Sequence, residues 1–270
     1  MRVLQILLAC TALFCGACST LTTGRDMGEF VKREITVDGV KHRYQVFVPT
    51  REAGGRKPPV ILFLHGTGER GSDGDKPVQV GLGPHVRAHL ADFPAIVVFA
   101  QAPEDRDWKG ETAALALAEL DRATDEFNGD RDRTYLTGLS MGGYGTWELA
   151  LMQPQRFAAL VPICGALLPP REERLNLFVT PLAGEPDPYT ALARRLRALP
   201  MWIFHGAKDD VVPPDDDRHT YAALQAAGAD VRYTEFPDAN HNSWDAAYAT
   251  PELWPWLFAQ RRNATSARQR

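Results

Sequence analysis

The stretch Thr134-Tyr135-Leu136-Thr137-Gly138-Leu139-Ser140-Met141-Gly142-Gly143-Tyr144-Gly145 decides how this chain is read. Residues 134–138 read as an apolar strand, and residues 143–153 as a helix that ends before Pro154. Between them Gly138 and Gly142 flank Ser140. A strand that turns into a helix this sharply has no room for side chains at the two glycines. The serine alone keeps one, lifted above the sheet edge. The helix that follows presents its positive end to the same point. Ser140 is therefore the candidate nucleophile.

Outward from this turn the pattern alternates strand and helix. Residues 32–37 and 42–48 alternate polar and apolar around Asp38-Gly39, a hairpin signal. Residues 60–64 and 96–100 are solid apolar runs, as strands covered on both faces read. Further strands are predicted over 157–163, 201–205 and 231–236. Helices are predicted over 112–127, 215–227 and 251–260. This order predicts an α/β fold: one mostly parallel central sheet, helices on both faces and an N-terminal antiparallel hairpin. Residues 165–199, with Pro169, Pro170, Pro181, Pro186 and Pro188, read as an irregular excursion or a wall of the site.

A serine hydroxyl needs a base, and the base needs a carboxylate to orient it. In this architecture the chain order is serine, acid, histidine. Asp209 and Asp210 both follow the 201–205 strand, and the spacing from His205-Gly206 favours Asp209. Asp215, Asp216 and Asp217 read as charges at a helix start. Of the later histidines, His219 falls within a predicted helix, whereas His241 lies in a loop after the last strand. His241 is the candidate base. The oxyanion needs two backbone N–H donors, expected from Met141 and from Thr67, with Gly68 the second choice for the latter. His65 is expected to brace that loop. Trp108 and Trp244 are candidate walls of an acyl pocket. No His, Cys and carboxylate cluster has metal-ligand spacing, so no metal or cofactor is expected.

The 44% hydrophobic and 24% charged content is that of a globular chain. Lys plus Arg number 30 against 34 Asp plus Glu, without the basic excess that grips nucleic acid. Residues 1–17 read as an export signal, with a charged start and an apolar run. Cys15-Gly16-Ala17-Cys18 resembles a bacterial lipobox, which makes Cys18 a candidate lipid attachment site; Cys15 stands where Leu is usual. The expected organisation is a linker over 18–29, a catalytic domain over 30–260 and a polar tail over 261–270. The expected location is the outer membrane through a lipid anchor, with the periplasm or secretion as the alternative. Oligomeric state is not legible.

Leu64-His65-Gly66-Thr67-Gly68-Glu69-Arg70-Gly71, the Ser140 turn through Trp147 and Phe204-His205-Gly206-Ala207-Lys208-Asp209 resemble exported bacterial α/β-hydrolase esterases. These are the prolyl-oligopeptidase-like and polyhydroxybutyrate-depolymerase-like group, similar to feruloyl and acetylxylan esterases. The resemblance spans about residues 30–258. It implies the α/β-hydrolase fold and a serine carboxylesterase acting on short-acyl or hydroxycinnamoyl esters, free or polysaccharide-linked. With no propeller-sized region upstream, it points away from peptidase action. A polyester depolymerase or peptidase with the same triad, or a non-catalytic ligand-binding lipoprotein, are the alternatives.

Overall fold

The computed structural model describes residues 27–50 and 55–262; Cys18 and the export segment lie outside them. The chain opens with β1 (Glu29–Val37) and β2 (Val40–Val48), antiparallel with Val37 opposite Val40. Asp38 and Gly39 turn between them at φ +49° and +79°, the mirror-image turn whose twist matches a hairpin. Six strands follow: β3 (Val60–Leu64), β4 (Ile96–Phe99), β5 (Thr134–Leu139), β6 (Ala159–Ile163), β7 (Met201–Gly206) and β8 (Val231–Phe236). They form one eight-stranded sheet in the order β1-β2-β4-β3-β5-β6-β7-β8. Only the β1–β2 and β2–β4 pairs are antiparallel.

The helices are α1 (Leu82–Ala88), α2 (Gly110–Glu126), α3 (Met141–Met152), α4 (Pro188–Leu196), α5 (Asp215–Ala226), α6 (Trp244–Tyr248) and α7 (Leu253–Ala259). The strand repeat of two sorts side chains between two cores. Val60, Leu62 and Leu64 face α2 to α5, whereas Ile61 and Phe63 face α1, α6 and α7. That is why the central strands read as unbroken apolar runs. Each such side chain contributes about 1.5–3 kcal/mol on burial. In α2, Ala113, Ala116, Leu117, Leu120 and Ala123 recur every three or four residues and form its buried stripe.

The excursion expected over residues 165–199 needs correction. Its last third is α4, and Pro188 opens this helix instead of breaking one. Proline suits the first helical position because no N–H is needed there. Asp187 caps it, accepting the N–H groups of Tyr189 and Thr190 at 3.1 Å each. A crossover is obligatory in any case, since β6 and β7 are parallel neighbours. The stretch up to residue 187 carries only two short 3-10 turns, Glu172–Arg174 and Thr180–Leu182.

Candidate active site

The strand order reverses direction between β3 and β5, where Leu64 pairs with Gly138. A crevice opens beyond the carboxyl ends of strands at such a point. Ser140 sits there as the residue before α3, with φ +53° and ψ −118°. A serine held at positive φ stores on the order of 1–3 kcal/mol of strain, which the surroundings must enforce. They do so by contact. A Cβ on Gly138 would lie 2.2 Å from Gly142 O, and one on Gly142 only 2.0 Å from Leu64 O. The strain and the glycines are thus two sides of one tight turn.

His241, in the loop after β8, places Nε2 2.9 Å from Ser140 Oγ and Nδ1 2.7 Å from Asp209 Oδ2. A carboxylate only accepts, so Nδ1 carries the proton and Nε2 is left to accept the Ser140 hydroxyl. Asp209 is itself fixed. Its Oδ1 accepts the Val211 and Val212 N–H groups, both at 2.9 Å. Burial works against its charge, but bonds from His205, His241 and the Val212 N–H hold the carboxyl well below the usual range. It is therefore ionised at neutral pH. Asp210, the competing acid, is exposed, and what Arg171 engages is its backbone carbonyl.

Met141 opens α3, and Thr67 opens a short 3-10 turn, Thr67–Glu69. N–H groups at first helical positions have no acceptor within their own helix. The Thr67 loop passes close to the nucleophile: a Cβ on Gly66 would lie 3.6 Å from Ser140 Cβ. Met141 thus follows Ser140 directly, and the loop that carries Thr67 lies beside it. His65 is fully buried behind them, its Nδ1 2.6 Å from Gly66 O while Nε2 accepts the Ala102 N–H at 3.0 Å. Burial pushes this imidazole down to about 4, so it stays neutral and braces the loop.

Trp108 is a correction. It is only 2% exposed, and its indole N–H donates to His65 O at 3.0 Å. Gly145 lies so close that a Cβ there would be 2.6 Å from Trp108 Cβ. The ring is spent on packing the oxyanion loop against α3 and offers no face to a substrate. Trp244 differs. It is half-buried at the start of α6, its ring at 87° to His241 with centroids 5.6 Å apart.

Two features escaped the sequence reading. Asp216 and Asp217 have dedicated partners. Asp216 accepts the Leu167 and Leu168 N–H groups, and Asp217 meets His205. Second, the stretch 165–187 is tied to Lys109 and to the acid loop. Lys109 donates to Asn176 O and lies over the Phe178 ring, while Arg171 reaches the carbonyls of Asp210 and Val211. Leu168, Leu175 and Val211 on these segments are 41%, 67% and 38% exposed. A cavity of about 490 Å³ lined by Val48, Ile96 and Phe127 opens at the amino end of β4. That is the end of the sheet away from Ser140, and it is not this site.

Comparison with known proteins finds relatives along most of the chain. The prolyl oligopeptidase family (peptidase family S9) matches residues 184–259, which carry Asp209 and His241. A poly(3-hydroxyoctanoate) depolymerase of Pseudomonas fluorescens is 29% identical over 254 residues, covering 86% of this chain and 81% of that protein. The crystal structure of a thermostable esterase superposes with a TM-score of 0.69 at 30% identity, covering 86% of this chain and 63% of that one. An uncharacterized secreted protein of Arthroderma benhamiae is 24% identical over 235 residues, which are 77% of this chain but 24% of that protein. The chain thus spans about a quarter of that curated relative and less than two thirds of the esterase structure.

Proposed function

We propose that this chain, an α/β-hydrolase of the esterase group, is a serine carboxylesterase acting on short-acyl or hydroxycinnamoyl esters. The observation that carries the reading is the unbroken hydrogen-bonded line from Asp209 through His241 to a strained Ser140. Ser140 Oγ attacks the ester carbonyl as its proton passes to His241 Nε2. Asp209 stabilises the imidazolium formed, and the Met141 and Thr67 N–H groups take the oxyanion. The alcohol leaves with the proton from His241. Water then attacks the acyl-enzyme, giving its proton to His241, and collapse of the intermediate releases the acid as His241 returns that proton to Ser140 Oγ. The reaction needs no cofactor. Trp244, beside His241, flanks the bound acyl group. Residues 1–18 support an exported, lipid-anchored enzyme; among the described residues no helix is long and apolar enough to cross a membrane.

A second reading, a polyester depolymerase, is favoured by the exposed Leu168, Leu175 and Val211 and by the Pseudomonas relative. Steady-state rates on p-nitrophenyl acetate, methyl ferulate, p-nitrophenyl palmitate, poly(3-hydroxyoctanoate) and a peptide nitroanilide separate these. The esterase reading expects kcat/KM highest for acetate or ferulate. Faster turnover of the polymer establishes the second reading, and faster cleavage of the anilide overturns both.

A further inference from the structure

His205, on β7, is fully buried and meets the same Asp209 oxygen, Oδ2, as His241. Its Nε2 is 2.8 Å from the Val212 carbonyl oxygen and 3.3 Å from Asp209 Oδ2; its Nδ1 is 2.7 Å from Asp217 Oδ2. A neutral imidazole offers one N–H and one lone pair. The Val212 carbonyl can only accept, so Nε2 must carry a proton. Nδ1 meets a carboxylate, which is an acceptor as long as it is ionised.

The charges around the ring decide that condition. The Asp209 and Asp217 side chains are both wholly buried. Two buried anions sharing one site are costly without a cation between them. Among the described residues the neighbouring elements supply no other. Glu235 on β8, Asp216 on α5, Tyr144 on α3 and Cys164 after β6 are acidic or uncharged groups. Arg218 on α5 is taken up by Asp215 and Glu235 at the surface. We propose that His205 is a buried imidazolium, hydrogen-bonded to Asp217 and to the Val212 carbonyl and ion-paired with Asp209 Oδ2, that positions the catalytic acid. The line then runs Asp217, His205, Asp209, His241, Ser140, with alternating charge at its buried end. Burial opposes charge on His205, but its bonds to Asp209 and Asp217 outweigh this and push it up to about 10.

His205 touches no reacting atom, so it is a positioning residue, and the inference rests on Ser140, His241 and Asp209 acting as proposed. Its positive charge also lessens the pull of the buried carboxylates on a proton at His241. Removing it leaves the Asp209 and Asp217 charges uncompensated beside the base.

The test is nitrogen-15 NMR of the full chain labelled at histidine, with His205 assigned through its contact with Val212. At pH 8 both ring nitrogens of His205 are expected in the protonated range. A lone-pair nitrogen at Nδ1, with the proton on Asp217 instead, overturns the proposal and needs no variant. In His205→Gln, kcat is expected to fall about tenfold or more with KM changed by less than about twofold. The acid limb of its kcat/KM profile is expected to move to higher pH. An unmoved limb with unchanged kcat in folded protein also overturns it. Labelling of wild-type Ser140 by a fluorophosphonate reports the triad independently. A neutral His205 in a labelled enzyme removes this inference alone, whereas unlabelled Ser140 removes the triad as well.

Discussion

Asp209→Asn exchanges one oxygen for an amide nitrogen, and the structure dictates where that nitrogen points. Asp209 Oδ1 accepts two backbone N–H groups, from Val211 and Val212, each at 2.9 Å. An asparagine must keep its oxygen there, because turning the amide would set two donors against two donors. Its NH2 then faces His241 Nδ1, 2.7 Å away in the wild type. His241 must answer with a lone pair at Nδ1 and a proton at Nε2. That proton points at Ser140 Oγ, 2.9 Å away, and no base remains. A wrong tautomer of this kind costs about 10⁴ in kcat, or about 5 kcal/mol of transition-state stabilisation. Asp210→Asn is expected within about threefold of wild type, since surface changes away from a site have small effects. The assay is p-nitrophenyl acetate hydrolysis with circular dichroism as the check on folding. If Asp209→Asn keeps more than about 1% of kcat, or if Asp210→Asn loses as much, the tautomer argument fails.

Gly142→Ala, whose Cβ would meet Leu64 O at 2.0 Å, is expected to lose several kcal/mol of stability or fail to fold. Gly68→Ala, with nothing within 4 Å, should melt within about 2 °C of wild type, and equal melting of the two variants contradicts the steric account of the turn. Stability should also fall with acid. His65 is neutral in the fold, held to about 4 by burial, and titrates near 6.5 when unfolded. Its contribution, about 3 kcal/mol, is complete above pH 6.5 and lost as pH falls to about 4. A urea titration series across that window checks this, and a flat midpoint refutes it. Trp244→Ala should raise KM for methyl ferulate at least about threefold more than for p-nitrophenyl acetate, in keeping with an aromatic contact. Equal effects on both esters take Trp244 out of the acyl site.

What was legible in the sequence was what local sterics or periodicity write down. The Ser140 turn is readable because two glycines are forced by backbone contact at 2.0–2.2 Å. The β1–β2 turn is readable because Asp38-Gly39 suits two positive φ values. β3 and β8 fall on the predicted residues, 60–64 and 231–236. α4 is not legible from its proline content, because Pro188 breaks no helix at the first helical position, the one place a helix welcomes it. α1, seven residues starting Leu82-Gly83-Pro84, is too short to show a period. Trp108 looked available because a tryptophan after a strand reads alike whether it faces substrate or packs under a neighbouring loop. The pairing of His205 with Asp217 joins a strand to the first turn of α5, and no local pattern marks it. An isolated histidine within an otherwise apolar strand was the available signal: a polar side chain there must find a partner.

The central claim is that Ser140 is a nucleophile activated by His241 and Asp209. Reaction of the full chain with a fluorophosphonate, read by intact mass and peptide mapping, tests it most directly. The account predicts one adduct per chain, mapped to Ser140, and none in Ser140→Ala of unchanged circular dichroism. An unmodified wild type, or an adduct that persists on another residue in Ser140→Ala, contradicts it.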